Sequence, residues 1–109
     1  MNFDMNKMLQ EAQRMQAELA KAQEEAAAEV VEASAGGGMV TVRANGAGEV
    51  VSITIDPRAV DPDDPELLAD MVLAAVNEAL RSSRSLMESK VSGLMPGDLG
   101  DLGGLLPGG

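Results

Sequence analysis

Three basic side chains spaced seven residues apart are the clearest candidates for chemistry in this sequence. Lys7, Arg14 and Lys21 occupy the same position in successive heptads, so on a helix they form one basic stripe. Ammonium and guanidinium groups bind phosphate oxygens, and a row of them can follow a phosphate backbone. Each of the three also precedes a glutamate by four residues. The stripe is therefore equally typical of a salt-bridged, solvated helix face.

A second basic group lies in the C-terminal half and consists of Arg81, Arg84 and Lys90. The whole chain carries 18 Asp and Glu against 8 Lys and Arg, a formal charge of -10. Such a balance opposes a nucleic-acid partner, because binding along phosphates normally relies on a basic surface. Many of the acidic side chains, however, gather between positions 56 and 70. This distribution can still leave a basic surface along the segments that carry the Lys and Arg residues.

The composition excludes the usual catalytic groups. The chain has no Cys and no His, and Phe3 is its one aromatic residue. Without these residues there is no thiolate nucleophile, no imidazole base and no disulfide framework. No apolar run approaches the roughly 20 residues of a membrane helix. We therefore expect a soluble cytoplasmic binding protein that is not an enzyme, with no cofactor, no small-molecule substrate and no membrane partner.

Two further patterns resemble ligand sites and have structural explanations. The carboxylates Asp61, Asp63 and Asp64 lack the spacing of a calcium loop, and the prolines among them indicate a turn and a helix start. The glycine runs 36–38 and 46–48 lie between predicted strands, whereas a phosphate loop leads into a helix. We predict no metal site and no nucleotide site.

Residues 4–30 are strong helix formers with no Pro or Gly, which predicts a long first helix. At 1.5 Å per residue it reaches roughly 40 Å, more than the roughly 30 Å diameter of a domain of this size. The helix must overhang its own domain or lie against a second subunit. Its heptad positions a and d form a thin apolar seam, which we predict to be a dimer interface. The seam consists of Met5, Met8, Ala12, Met15, Leu19 and Ala22.

The rest of the chain predicts an α+β fold in the order α-β-β-β-α. Alternating residues in 29–34, 39–45 and 49–56, joined by Gly turns, indicate a three-stranded antiparallel meander with one aliphatic face that packs on a helix. Asp64 and Pro65 then start a second helix that extends to about residue 91. The first half of this helix is apolar enough to cover the sheet, and the polar second half projects into solvent or meets a partner. The Gly- and Pro-rich tail 93–109 is expected to be disordered.

Three segments in this order resemble the YbaB/EbfC family of bacterial nucleoid-associated proteins: MNKMLQEAQRMQAEL, ASAGGGMVTVRANGAGEVVSITIDP and PELLADMVLAAVNEAL. The likeness covers residues 5–91 and implies a family domain over 1–92. It implies a tweezers-like homodimer that binds double-stranded DNA, alters its conformation and acts in nucleoid organisation and gene regulation. Family DNA contacts lie on the helical arms, which here assigns them to Lys7, Arg14, Lys21, Arg81, Arg84 and Lys90.

A different class of function is also compatible with the sequence. The Met- and Ala-lined helices are typical of a protein-interaction module that clamps a hydrophobic peptide or helix, as a chaperone or adaptor does. The seam and the acidity both fit this alternative. Salt dependence of DNA binding distinguishes the two, because phosphate contacts weaken steeply with salt.

Overall fold

The computed structural model of the protein describes residues 4–94 and confirms the predicted α-β-β-β-α order. Of the tail 93–109, the positions after Leu94 lie outside the described residues. The elements are α1 (Met5–Ala28), β1 (Val30–Ala35), β2 (Val40–Asn45), β3 (Val50–Ile55), a short 3-10 turn (Pro57–Ala59) and α2 (Pro65–Ser92).

Both helices begin at aspartate caps. The Asp4 carboxylate accepts a hydrogen bond from the Lys7 backbone N–H at 3.3 Å, and the Asp64 carboxylate accepts one from Leu67 at 3.2 Å. Pro65 occupies the first turn of α2, where a missing N–H costs nothing. Asp61 accepts from the backbone of Asp63 at 2.9 Å, so this acidic segment forms the predicted turn and cap.

The three strands form an antiparallel sheet in the order β1-β2-β3, with β2 in the centre. Gly36, Gly37 and Gly38 all have positive φ angles between β1 and β2, a conformation that side chains disfavour. Pairing of β2 with β3 shifts by one residue at a bulge beside Ala44. The tight turns fix the register, so aliphatic residues of all three strands lie on one face.

The hydrophobic core lies between α2 and only two of the strands. Its buried members are Ala33, Val40, Val42, Ala44, Ala75 and Ala79. The apolar residues of β3 remain exposed, in contrast to the expected aliphatic face covered by a helix. A helix about 10 Å wide spans about two strands at their spacing of roughly 4.8 Å, so α2 cannot also cover the third.

The first helix overhangs the rest of the molecule, as its length predicts. Ala22 and Ala26 are buried near its C-terminal end, whereas every residue from 5 to 17 is exposed. We call residues 5–17 the arm. The molecule measures 76 × 33 × 16 Å along its principal axes.

The second half of α2 differs from its predicted role. Ser83 is fully buried and Lys90 contacts Glu29 at the end of α1, so this half packs against its own chain. Within residues 4–94, neither helix contains a stretch long and apolar enough to span a membrane.

Candidate nucleic-acid interface

The basic stripe begins on the arm. Lys7 and Arg14 line a shallow groove of about 230 Å³ together with Gln10 and Glu11. Both side chains are exposed because nothing else among residues 4–94 packs on this part of α1. The helix therefore presents two cations, one heptad apart, to the surroundings.

The glutamates beside the stripe pair with it only in part. Arg14 Nη1 lies 3.4 Å from Glu18 Oε1, and both side chains are well exposed. Within the described part of the chain, neither Lys7 nor Lys21 has a carboxylate oxygen within 4 Å. An exposed pair such as Arg14–Glu18 contributes roughly 0–1 kcal/mol, so a phosphate can compete for the arginine.

The basic residues of α2 have different surroundings. Arg81 Nη2 lies 2.7 Å from Glu78 Oε2, an exposed pair one turn apart. Arg84 lines a cavity of about 350 Å³ beside the turn of residues 46–48, and it has no carboxylate partner within 4 Å among residues 4–94. Lys90 Nζ lies 2.7 Å from Glu29 Oε1.

The structure distributes the predicted DNA-binding residues over several surfaces. Lys7 and Arg14 share one groove, and Lys21 and Lys90 share another of about 290 Å³ between the ends of the two helices. Arg84 lies in the third cavity, on the turn side of α2. The structure thus brings four of the six cations together in two pairs and leaves Arg81 and Arg84 apart from them, so the six do not form a single cluster.

Two ion pairs shift the pKa of their members. The hydrogen bond to Glu29 raises the pKa of Lys90, with a further contribution from the charges of Glu29 and Glu25. The Arg58 side chain and backbone N–H donate to Asp56 and lower the pKa of that carboxyl. Within the described residues, no group of three or more acidic side chains is arranged to hold a metal ion.

The predicted dimer seam divides into two parts. Met5, Met8 and Met15 are exposed on the arm, at 67%, 54% and 39% of their full accessible surface. Ala12 is also exposed, and Leu19 is half-buried. Ala22, by contrast, is buried within its own chain. The exposed part of the seam is the part that remains available to a second molecule.

Two features of the surface are not apparent from the sequence. The first is the β3 apolar face, defined by Val51, Ile53 and Ile55; its residues alternate as expected, but only the structure shows that neither α1 nor α2 covers them. The second is the contact between Glu29 and Lys90, which lie 61 positions apart. The rise in polarity after Leu80 gives no indication of that contact.

These features define a small α+β protein with an overhanging, partly basic helix beside a sheet whose apolar face is half covered. The chain belongs to the YbaB/EbfC DNA-binding family, which it matches over residues 1–99. A nucleoid-associated protein of Thermoanaerobacter pseudethanolicus is 50% identical over 95 residues, covering 87% of this chain and 86% of that protein. Another from Saccharopolyspora erythraea is 48% identical, covering 96% and 93%.

A solved structure has the same fold. An uncharacterized protein from Helicobacter pylori superimposes with a TM-score of 0.75 at 22% identity, covering 87% of this chain and all of that one. At this identity the likeness concerns the fold alone. It supports the predicted α-β-β-β-α architecture.

Proposed function

We propose that this protein binds double-stranded DNA as a homodimer and alters its conformation, in nucleoid organisation and gene regulation in the cytoplasm. Membership of the YbaB/EbfC DNA-binding family supports a DNA partner. Relatives named nucleoid-associated proteins, at about half-identical sequence, support a place in the nucleoid.

The observation that carries the proposal is the local charge of the arm. The chain as a whole has a formal charge of -10, but residues 5–17 contain Lys7 and Arg14 against the single acid Glu11. The arm also extends beyond the acidic body, where its cations face no packed neighbour in the part of the chain that the structure describes. A phosphate backbone can therefore approach the arm without approaching the acidic segment at 56–70.

Binding of this kind works by charge neutralisation. Lys7, Arg14 and Lys21 of each subunit contact phosphates, and Arg81 and Arg84 add contacts from α2. Each phosphate contact releases condensed counterions, so if roughly four to six of these ten side chains of the dimer engage phosphates at the same time, the log–log salt slope is about -4 to -5. The one aromatic residue, Phe3, leaves little for intercalation. Deformation of the duplex then follows from the placement of charge across the dimer.

A second copy of the chain is supported by two exposed apolar surfaces. The β3 apolar face is a continuous extension of the core sheet, and β3 is also an edge strand with unpaired backbone groups. The exposed part of the seam, Met5 to Met15, adds a second apolar contact. Covering both surfaces stabilises a small domain whose own core is built largely from alanine and valine.

Fluorescence anisotropy with a labelled duplex, titrated with salt, tests the DNA proposal. We expect the double variant Lys7→Ala/Arg14→Ala to bind at least about tenfold more weakly at low salt, with a salt slope shallower by about 3 to 4 if four contacts are lost per dimer. The matched control is Arg43→Ala/Arg58→Ala, which changes the net charge equally on surfaces away from the arm.

The outcomes separate the parts of the proposal. Absence of wild-type binding at low salt contradicts DNA binding itself. Equal binding and equal slope in the arm variant and the wild type contradict the role of the arm. Equal weakening by both double variants shows that total charge, and not the arm, governs the affinity.

A hydrophobic peptide is a second candidate partner, favoured by the exposed Met5, Met8 and Leu9 on the arm. Methionine side chains adapt to varied apolar surfaces. A labelled amphipathic helical peptide tests this candidate in the same assay. Binding that survives high salt and is lost in Met8→Glu supports it, whereas absence of binding contradicts it.

A further inference from the structure

The C-terminal end of α1 is pressed against the turn that joins β2 to β3. The backbone N–H of Gly46 donates to the carbonyl oxygens of Ala26, at 2.8 Å, and Glu29, at 3.2 Å. A Cβ atom at position 46 would overlap the carbonyl group of Ala26. Glycine here thus permits a backbone-to-backbone approach that fixes where α1 leaves the body.

The same turn is held from its other side by α2. The Ser83 hydroxyl, fully buried, donates to the carbonyl oxygen of Asn45 at 2.5 Å. Within the turn, the Asn45 side-chain oxygen accepts from the backbone N–H groups of Ala47 and Glu49 at 3.0 and 3.1 Å. The turn therefore lies between the two helices and is hydrogen-bonded to both of them.

An ion pair joins the ends of the helices directly. Glu29 is the C-terminal cap of α1, and Lys90 lies in the last turn of α2. Their charged atoms are 2.7 Å apart, and the Lys90 side chain retains 29% of its exposure. The raised pKa of Lys90 agrees with a close contact in which the lysine is charged. The ammonium group of Lys90 is thus already paired with the carboxylate of Glu29.

We propose that the Glu29–Lys90 pair, together with Ser83 and the Asn45–Gly46 turn, is a lock that sets the direction of the arm. Lys90 then serves DNA binding as a positioning residue and not as a phosphate contact. The role in DNA binding rests on the proposed function, whereas the role in arm direction does not.

Because α1 is long, a small change in its tilt at the lock produces a large displacement at the N-terminal end of the arm. Met5 lies 21 residues from Ala26, or about 31 Å along the helix axis. A tilt of about 10° at the lock therefore displaces the tip of the arm by about 5 Å. Such a shift moves Lys7 out of reach of a phosphate that it contacts in the locked position, because such hydrogen bonds form at about 2.7–2.9 Å.

The first test measures the direction of the arm without DNA. The sequence has no cysteine, so Gln10→Cys on the arm and Ser34→Cys on β1, both at exposed positions, introduce unique sites for spin labels. Labelled chains are mixed with an excess of unlabelled full-length chains, so that a dimer rarely contains two labelled subunits. The measured distance is then the one between the two labels of a single chain. We expect one narrow distance in the wild-type background, and a shifted or broadened distribution in both Glu29→Ala and Lys90→Ala. Unchanged distances in both variants overturn the proposal.

The second test uses the sign of the effect on DNA binding. Glu29→Ala removes a negative charge and frees Lys90, so electrostatics alone predicts tighter binding. The lock predicts about fivefold weaker binding, because the arm loses its direction. Glu24→Ala is the matched control: it removes an exposed glutamate of α1 outside the lock and is expected to bind at least as tightly as the wild type. Tighter binding by Glu29→Ala overturns the positioning role.

The salt slope separates positioning from contact at Lys90. The comparison is made in the Glu29→Ala background, where the arm has already lost its direction, and there we expect the addition of Lys90→Ala to leave both affinity and slope unchanged. A phosphate contact would instead make the slope shallower by about 0.9 per lost contact. That result overturns the assignment. If wild-type protein does not bind DNA, the proposed function fails, and the label distances still decide whether the lock exists.

Discussion

Val42 of β2 lies directly opposite Ile53 of β3, yet Val42 is fully buried and Ile53 is 47% exposed. The two side chains share one face of the sheet, but α2 covers Val42 and does not extend over Ile53. The core thus ends in the middle of an apolar surface. A second molecule that covers β3 would extend the core without any change in the sheet.

Ile53→Glu tests whether this surface is the dimer contact. An unpaired carboxylate in an apolar interface costs several kcal/mol, so we expect the dimer to dissociate at concentrations at least about 100-fold higher. Light scattering should give twice the 11.3 kDa of one chain for the wild type and a single-chain mass for the variant. Thr54→Glu, on the opposite face of the same strand, is expected to remain dimeric. A dimeric Ile53→Glu together with a monomeric Met8→Glu would place the contact on the seam.

Gly46→Ala is expected to destabilise the protein. The added methyl group overlaps the Ala26 backbone, which cannot move without shifting α1, and overpacking of this kind costs about 1–3 kcal/mol. Urea unfolding measures the loss, with Ala47→Ser at the neighbouring exposed position as the control. A change of less than about 0.5 kcal/mol, the usual range of a surface substitution, would show that the turn is not held tightly.

Ser83→Ala removes a buried hydroxyl and leaves the Asn45 carbonyl without that donor. We expect a loss of about 0.5–1.5 kcal/mol in the free energy of unfolding, the usual contribution of one hydrogen bond, since the Asn45 carbonyl still accepts from the Gly48 backbone N–H at 3.1 Å. Ser85→Ala changes the same residue type at an exposed position of the same helix and is expected to be neutral. Equal stability of the two variants would contradict the contribution of the Ser83 hydrogen bond.

The Glu29–Lys90 pair makes stability fall at alkaline pH. The pKa of Lys90 is higher in the folded than in the unfolded state, so its contribution is fully present below the ordinary lysine pKa of about 10.4. The contribution is lost as the pH rises through the folded-state pKa. Thermal unfolding between pH 9 and 11.5 should therefore decline less steeply in Lys90→Ala than in the wild type. Parallel declines would exclude this pair as a source of the alkaline sensitivity.

Most of the fold follows from local pattern. The heptads of α1, the alternation of Val40 and Val42 and the Asp64-Pro65 start of α2 each depend on residues close in sequence, and all three predicted elements form. The lock could not be predicted in the same way. Glu29 lies where helix gives way to strand, and its partner is set by how two helices cross, which no local spacing encodes.

The candidate site shows the same division. The heptad spacing of Lys7, Arg14 and Lys21 correctly indicates a single helix. The three equivalent glutamate spacings predict three equivalent pairs, yet only Arg14–Glu18 lies within 4 Å among the described residues. Exposed pairs of this kind differ little in free energy from separated, hydrated charges, so spacing does not decide which of them form.

The arm has a thermodynamic consequence of its own. Residues 5–17 are exposed throughout, without tertiary packing from the other described residues, and an isolated helical segment of that length is only marginally stable. Amide hydrogens there should exchange with solvent orders of magnitude faster than those of α2 beside the sheet. A partner that binds the arm favours the closed helix over these brief openings, so exchange of the arm amide hydrogens should slow in the complex.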